Sequence, residues 1–376
     1  MALLNKEDVT ELPYARHNIT SDDIDAVVQV LSSNNLTQGN CVPRFEDGLV
    51  KYTGAKYAIA VNSATSALHL SCLSLGLSKQ DWLWSSPISF VASTNCGLYC
   101  SSHVDFVDID PETYNIDVDK LAEKLEVAEK RDILPKIVVV VHFAGLSCSM
   151  EKISELAEHY KFFIVEDASH ALGSTYNEHP IGCCRYSQIT VFSFHPAKVI
   201  TTGEGGVLMT NDKRLMETSR RLRTHGITRE ADQMTTWGSR PWYYEQIDLG
   251  YNYRMNDIEA ALGTSQLPRL QEIVKQRQAI AKLYDRCLDK LPIVKPYKSA
   301  VSVSANHLYV VRVDTNKTSV SRDDVLAHLR SKHIGATVHY IPIHLQPVYR
   351  SLGFKWDDYP EAEKYFQEAI SLPIFP

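Results

Sequence analysis

Between residues 57 and 206, short apolar runs alternate with segments in which apolar residues return every three or four positions. That alternation is what βαβ units of a largely parallel sheet produce. The clearest unit starts at Lys136. Ile137–Val141 is an unbroken apolar run, as a strand covered on both faces requires. Ile153, Leu156, Ala157 and Tyr160 then repeat at helical spacing, and residues 162–165 form the next strand. Further strands are predicted over Tyr57–Val61, 104–107 and 190–194, with helices after Ser63 and Asn256 and, on one helix face, Leu68, Cys72 and Leu75. From Leu267 the periodicity becomes long and charged (LPRLQEIVKQRQAIAKLYDRCLDKL), which predicts a helix leading into a second domain. There the strand-like HLYVVRV precedes a helix near 323–331 and another strand near Thr337. The expected division is a large domain over residues 1–265 and a smaller C-terminal α+β domain over 266–376, with the N-terminal segment free to pack on the smaller one.

Composition narrows the function classes. A chain of 376 residues, 44% hydrophobic, buries one large core or two moderate ones, which excludes a disordered protein. Its net charge of -6 is spread without long like-charge blocks, which argues against a nucleic-acid partner. No stretch reaches the ~18 apolar residues of a membrane span. The opening MALLNKEDVTELPYARHN acquires charges too early for a secretory signal, so a cytoplasmic location is expected. The eight cysteines show no CxxC spacing, which makes zinc and a disulfide framework poor readings.

The densest chemistry lies in VFSFHPAKVITTGEGGVLMTND, where a strand runs into a polar turn holding Ser193, His195 and Lys198. A lysine desolvated at a strand end has a lowered pKa, and its neutral amine can form a Schiff base with a carbonyl. Taken alone, the same stretch also fits a surface lysine in a glycine-rich turn. Asp167, in FFIVEDASHALGS, sits at another strand end, where ligands of such sheets bind. It is either a solvated cap or the acid that a pyridine nitrogen needs to stay protonated. His170 is a structural histidine or a partner of a ring hydroxyl. In YAIAVNSATSALHLSCLSLGL, Asn62 and Ser63 cap a helix, and the stretch is either no more than a well-capped helix or, through the free N–H groups of Ala64 and Thr65, an anion site suited to phosphate. Phe90, in SSPISFVASTNCGLYC, is a core residue or a platform for a flat heteroaromatic ring.

Together, in this order, these pieces resemble the sugar aminotransferases of the DegT/DnrJ/EryC1/StrS family. The resemblance runs from LTQG at Leu36 through GYNYRMNDIEAALG to VHYIPIHLQPVY. It implies a pyridoxal 5'-phosphate (PLP)-dependent, fold-type-I (aspartate aminotransferase-like) enzyme with a large, mostly parallel mixed sheet. By the same resemblance, Lys198 carries the cofactor, Asp167 pairs with the pyridine nitrogen, His170 neighbours the ring hydroxyl and Phe90 stacks on the ring. Ser193, Ala64 and Thr65 match phosphate-binding positions. Asn252 matches an asparagine that reaches the phosphate from the other subunit, which implies a homodimer with shared active sites. The stretches QDWLWSSPISFVASTNCGLYC and VDFVDIDPETYN are most similar to the transaminases of pseudaminic acid biosynthesis. Those use L-glutamate to form UDP-4-amino-4,6-dideoxy-N-acetyl-β-L-altrosamine from the 4-keto sugar. His339 and Tyr340 fall in a segment that helps form the sugar-nucleotide site. Trp237, Trp242 and Tyr243, in an insert-like stretch, either line that site's entrance or pack at the subunit contact.

Three rivals are weaker. Family relatives that dehydrate sugars typically carry histidine in place of the lysine. A nicotinamide-dependent oxidoreductase would need a GxGxxG after an early strand, and none is present. A noncatalytic member of the fold would not need both Lys198 and Asp167.

Overall fold

The computed structural model describes residues 11–234 and 240–376. Seven strands build the main sheet: β1 (Tyr57–Val61), β2 (Trp82–Ser85), β3 (His103–Phe106), β4 (Ile137–Val141), β5 (Phe163–Asp167), β6 (Ile189–Ser193) and β7 (Gly206–Thr210). Their spatial order is β1-β7-β6-β5-β4-β2-β3. Pairings from β3 through β6 are parallel, whereas β7 runs antiparallel to both β1 and β6. The predicted β1 and β4 coincide with the observed strands, and the other predicted strands shift by one or two residues at their ends.

Alternation along each strand explains why the runs are apolar throughout. In β4, Val138 and Val140 join a core with helices α2 (Cys41–Thr53), α5 (Val118–Glu129) and α6 (Met150–Tyr160), while Ile137 and Val139 face the opposite core with α3 (Ala64–Ser74), α4 (Ala92–Tyr99) and α7 (Lys213–Arg223). Both faces are therefore dry, and period two is hidden. Helix α3 departs from the one-face expectation. It is buried on nearly every side from Ser66 through Cys72, because it lies between the sheet and helices α4 and α7. Its hydroxyls are accordingly bonded inward, Ser71 to the Ala67 carbonyl and Ser66 to Asn62.

Helix α8 (Asp257–Gln266) starts at Asn256, whose side chain accepts the Glu259 N–H. The buried Asp257 carboxylate accepts N–H groups of Gly39, Cys41 and Val42, fastening the start of α2 to α8. After a short 3-10 turn over Leu267–Arg269, α9 (Leu270–Cys287) leads to a second, antiparallel sheet of β8 (Ile293–Val294), β9 (Tyr309–Val313) and β10 (Ala369–Leu372). Helix α10 (Arg322–Ser331) packs there as the sequence suggests. The strand expected near Thr337 does not form. Thr337 makes only an isolated bridge to Ser371 on the open edge of β10, because the chain then turns away toward the main sheet. Tyr14, Ile88, Ile109, Phe143, Val310 and Tyr365 belong to one cluster that joins the two sheets, and the N-terminal segment bridges to Ile334.

Candidate active site

A cavity of about 430 Å³ opens at the carboxyl ends of β1, β4, β5 and β6, where the two sheets meet. Beyond Ser193 the chain folds into a closed turn. Phe194 and Gly205 are bonded backbone to backbone, Thr202 returns to the Phe194 carbonyl, and Gly203 takes a left-handed φ of 85°. The turn presents Lys198 to the cavity. Burial lowers its pKa to about 8, against the opposing attraction of Asp167. Its Nζ lies 3.5 Å from His307 Nε2.

Asp167, the last residue of β5, is held from three directions. Ser93 Oγ donates to Oδ2 at 2.6 Å, and Ser169 donates to Oδ1 through its hydroxyl at 2.6 Å and its N–H at 3.1 Å. Ser93 is in turn 2.6 Å from the Ser89 hydroxyl. His170 Nδ1 accepts the Ala144 N–H at 3.3 Å, so Nε2 carries the proton and donates to the Tyr340 hydroxyl at 3.1 Å. The His170 and His307 rings lie 4.5 Å apart. Burial, then the neighbouring Lys198 charge, holds both imidazoles well below their ordinary pKa, and the same two causes bring His339 down to about 4. All three are neutral near pH 7.

At the other end, Ser63 accepts the Ser66 N–H at 3.1 Å, and the Ala64 and Thr65 N–H groups have no bonding partner among the described residues. They head α3 and face the cavity with Ser193. Gly206 makes this approach possible: a Cβ there would sit 2.4 Å from the Ala64 nitrogen. Phe90, 59% exposed, stands at the rim with its ring 6.4 Å from that of Tyr340.

The structure thus brings Ala64, Thr65, Phe90, Asp167, His170, Ser193, Lys198, His339 and Tyr340 into one cavity. Asn252 does not line it. It is exposed on a segment bridged to Thr224, beside the stacked Tyr251 and Tyr253 rings. Trp242 is 68% exposed, and Trp237 lies outside the described residues. Sequence reasoning missed Ser93, Ser169, Tyr14 and His307. Of these, only Ser169 carried a signal, as a hydroxyl two residues past a strand-end aspartate.

The donor set fits PLP. Unpartnered N–H groups suit a phosphate, the lowered amine suits an aldehyde, and an acceptor-only carboxylate suits a protonated ring nitrogen. An aspartate at one strand end and a lysine in the turn beyond another, with a helix N-terminus, on this mixed sheet define a PLP-dependent enzyme of the aspartate aminotransferase-like class. The chain belongs to the DegT/DnrJ/EryC1/StrS aminotransferase family, whose model matches residues 17–376. It is 38% identical to the spore coat polysaccharide biosynthesis protein SpsC of Bacillus subtilis, over 97% of this chain and 92% of that one. It is 35% identical to the UDP-4-amino-4,6-dideoxy-N-acetyl-beta-L-altrosamine transaminase of Campylobacter jejuni serotype O:23/36, over 96% and 92%. Spr1654 from Streptococcus pneumoniae, solved in its PLP-form, superposes with a TM-score of 0.87 at 28% identity, over 97% and 94%.

Proposed function

We propose that this sugar aminotransferase moves the amino group of L-glutamate to C4 of a UDP-linked 4-keto-6-deoxy-N-acetylhexosamine. The product is UDP-4-amino-4,6-dideoxy-N-acetyl-β-L-altrosamine, the reaction classed EC 2.6.1.92, a step of pseudaminic acid biosynthesis. The observation that carries the reaction type is the Lys198 amine, lowered to about pKa 8, in one cavity with Asp167 and the α3 N-terminus. The sugar assignment rests on the similarity to the Campylobacter transaminase.

Bound PLP would supply the electron sink that breaking the donor C–H bond needs. Lys198 Nζ takes the proton from that carbon in the first half-reaction and returns one to sugar C4 in the second. Its lowered pKa keeps enough neutral amine present near pH 7 to accept a proton. Asp167, fixed by Ser93 and Ser169, would hold the ring nitrogen in its cationic form. His170 would neighbour the ring hydroxyl, and Phe90 would stack on the ring. Ala64, Thr65 and Ser193 would grip the phosphate, joined by Asn252 of a second copy in a homodimer with shared sites. His339 and Tyr340 border the sugar nucleotide. Among the described residues no helix is long and apolar enough to cross a membrane and no cysteine is disulfide-bonded, both in keeping with a cytoplasmic enzyme.

Purified protein is to be incubated with PLP, glutamate and a panel of UDP-, dTDP- and GDP-linked 4-keto sugars, with products read by mass. Selective amination of the UDP-linked N-acetyl sugar is expected. Preference for another nucleotide or sugar would refute the substrate assignment, and no amination of any member would refute the reaction.

A further inference from the structure

Both ring nitrogens of the buried His170 are engaged inside the protein. Nδ1 accepts the Ala144 N–H at 3.3 Å, so in this neutral imidazole Nε2 carries the proton and donates to the Tyr340 hydroxyl at 3.1 Å. The phenol oxygen is therefore an acceptor. Its own O–H is left without one: among the described residues His170 is its only hydrogen-bond partner, and that nitrogen is already donating. Tyr340 lines the main cavity, which leaves the cavity's occupant as the acceptor. The donor is also braced. The His339 carbonyl accepts the Tyr365 hydroxyl at 2.6 Å, His339 Nδ1 is 2.8 Å from the Ser371 hydroxyl, and the Ala144 carbonyl accepts from Ser304 at 3.3 Å. Burial, then Tyr14 and Asp167 nearby, push the phenol well above its ordinary pKa, so it keeps its proton.

The wall around this hydroxyl, from Tyr14, His307 and His339, carries no charge at neutral pH. A carboxylate of glutamate or an ionised ring oxygen would meet no compensating cation there, whereas a keto, hydroxyl or amide oxygen of a sugar needs only a hydrogen bond. Resting on the amination proposed above, we infer that the Tyr340 hydroxyl donates to an uncharged oxygen of the keto sugar, and that His170 is the positioning residue that turns it there. Tyr340 thereby reads the sugar and not the amino donor. A site built around such a donor rejects sugars that lack the matching oxygen, because the hydroxyl is then left unpaired.

The test measures the two half-reactions separately by single turnover. Tyr340→Phe keeps the ring and removes only the hydroxyl, so amination of the UDP-linked keto sugar by the pyridoxamine-phosphate enzyme should fall about 10²-fold. The glutamate half-reaction should fall less than about threefold, and the absorbance of bound PLP should keep its maximum and its pH midpoint. His170→Ala should cost about tenfold in the sugar half-reaction and add nothing to Tyr340→Phe in the double variant. Equal losses in both half-reactions, a loss confined to the glutamate half, or a shifted absorbance midpoint would put the hydroxyl on another acceptor and overturn the inference. Additive losses in the double variant would overturn the role of His170. A wild-type enzyme that aminates no keto sugar sinks the proposed function and this inference together; one that does so, beside an unimpaired Tyr340→Phe, sinks the inference alone.

Discussion

The two walls of the main cavity use opposite electrostatics. The wall built on the large sheet carries the ionisable groups, Lys198 and Asp167, braced by the Ser93 and Ser169 hydroxyls at strand and helix ends. The facing wall, from Tyr14, His307, His339 and Tyr340, is aromatic and uncharged, its imidazoles kept neutral by burial and by Lys198. The uncharged wall desolvates the charged one, which is why an amine that normally titrates at 10.5 does so at about 8 here. Reactivity on one side is thus set by the apolar bulk of the other.

The largest break comes from the charged wall. Lys198→Ala should lower kcat about 10⁴-fold in steady-state assays while PLP is still retained noncovalently, as dialysis followed by absorbance would show. Asp167→Asn follows at about 10²- to 10³-fold in both half-reactions, measured separately by single turnover. An unequal loss would mean that the carboxylate serves only one of them. The third effect sharpens the coupling between walls. Because the neutral amine is the reactive form, covalent capture of PLP by apo-protein should slow about tenfold per unit as pH falls below 8, and level off above it. A midpoint near 10 by stopped-flow absorbance would disprove the desolvation argument. The smallest break is His307→Leu, which removes the nearest polar neighbour of Lys198. It should cost about tenfold in kcat with little change in KM.

These walls were also unequally readable. The strand-end positions of Ser193 and Asp167 follow from local pattern, since an apolar run that stops at a polar residue marks a sheet's carboxyl edge, and Lys198 lies in the polar turn that follows the first of them. The α3 cap at Ser63 is likewise local. Tyr14 and His307 could not be placed this way. Each reaches the cavity through docking of a distant segment, Tyr14 by the N-terminal chain bridging to Ile334 and His307 by the start of β9 packing across the joint cluster. Ser93 was hidden for another reason: a serine in a buried helix turn looks the same whether it bonds its own backbone or a carboxylate 74 residues away. The failed strand near Thr337 teaches the converse, that a β-prone segment beside an open edge makes one bridge and no more when the chain leaves that edge at once.

The contact between Gly206 and Ala64 sets a boundary for anyone who would retool this scaffold. With 2.4 Å between a notional methyl and the helix's leading nitrogen, the strand and the first turn of α3 behave as one rigid casting. Altered sugar selectivity is therefore best sought by varying Tyr14, His339 and Tyr340, where side chains can be exchanged without moving the floor proposed to hold the phosphate.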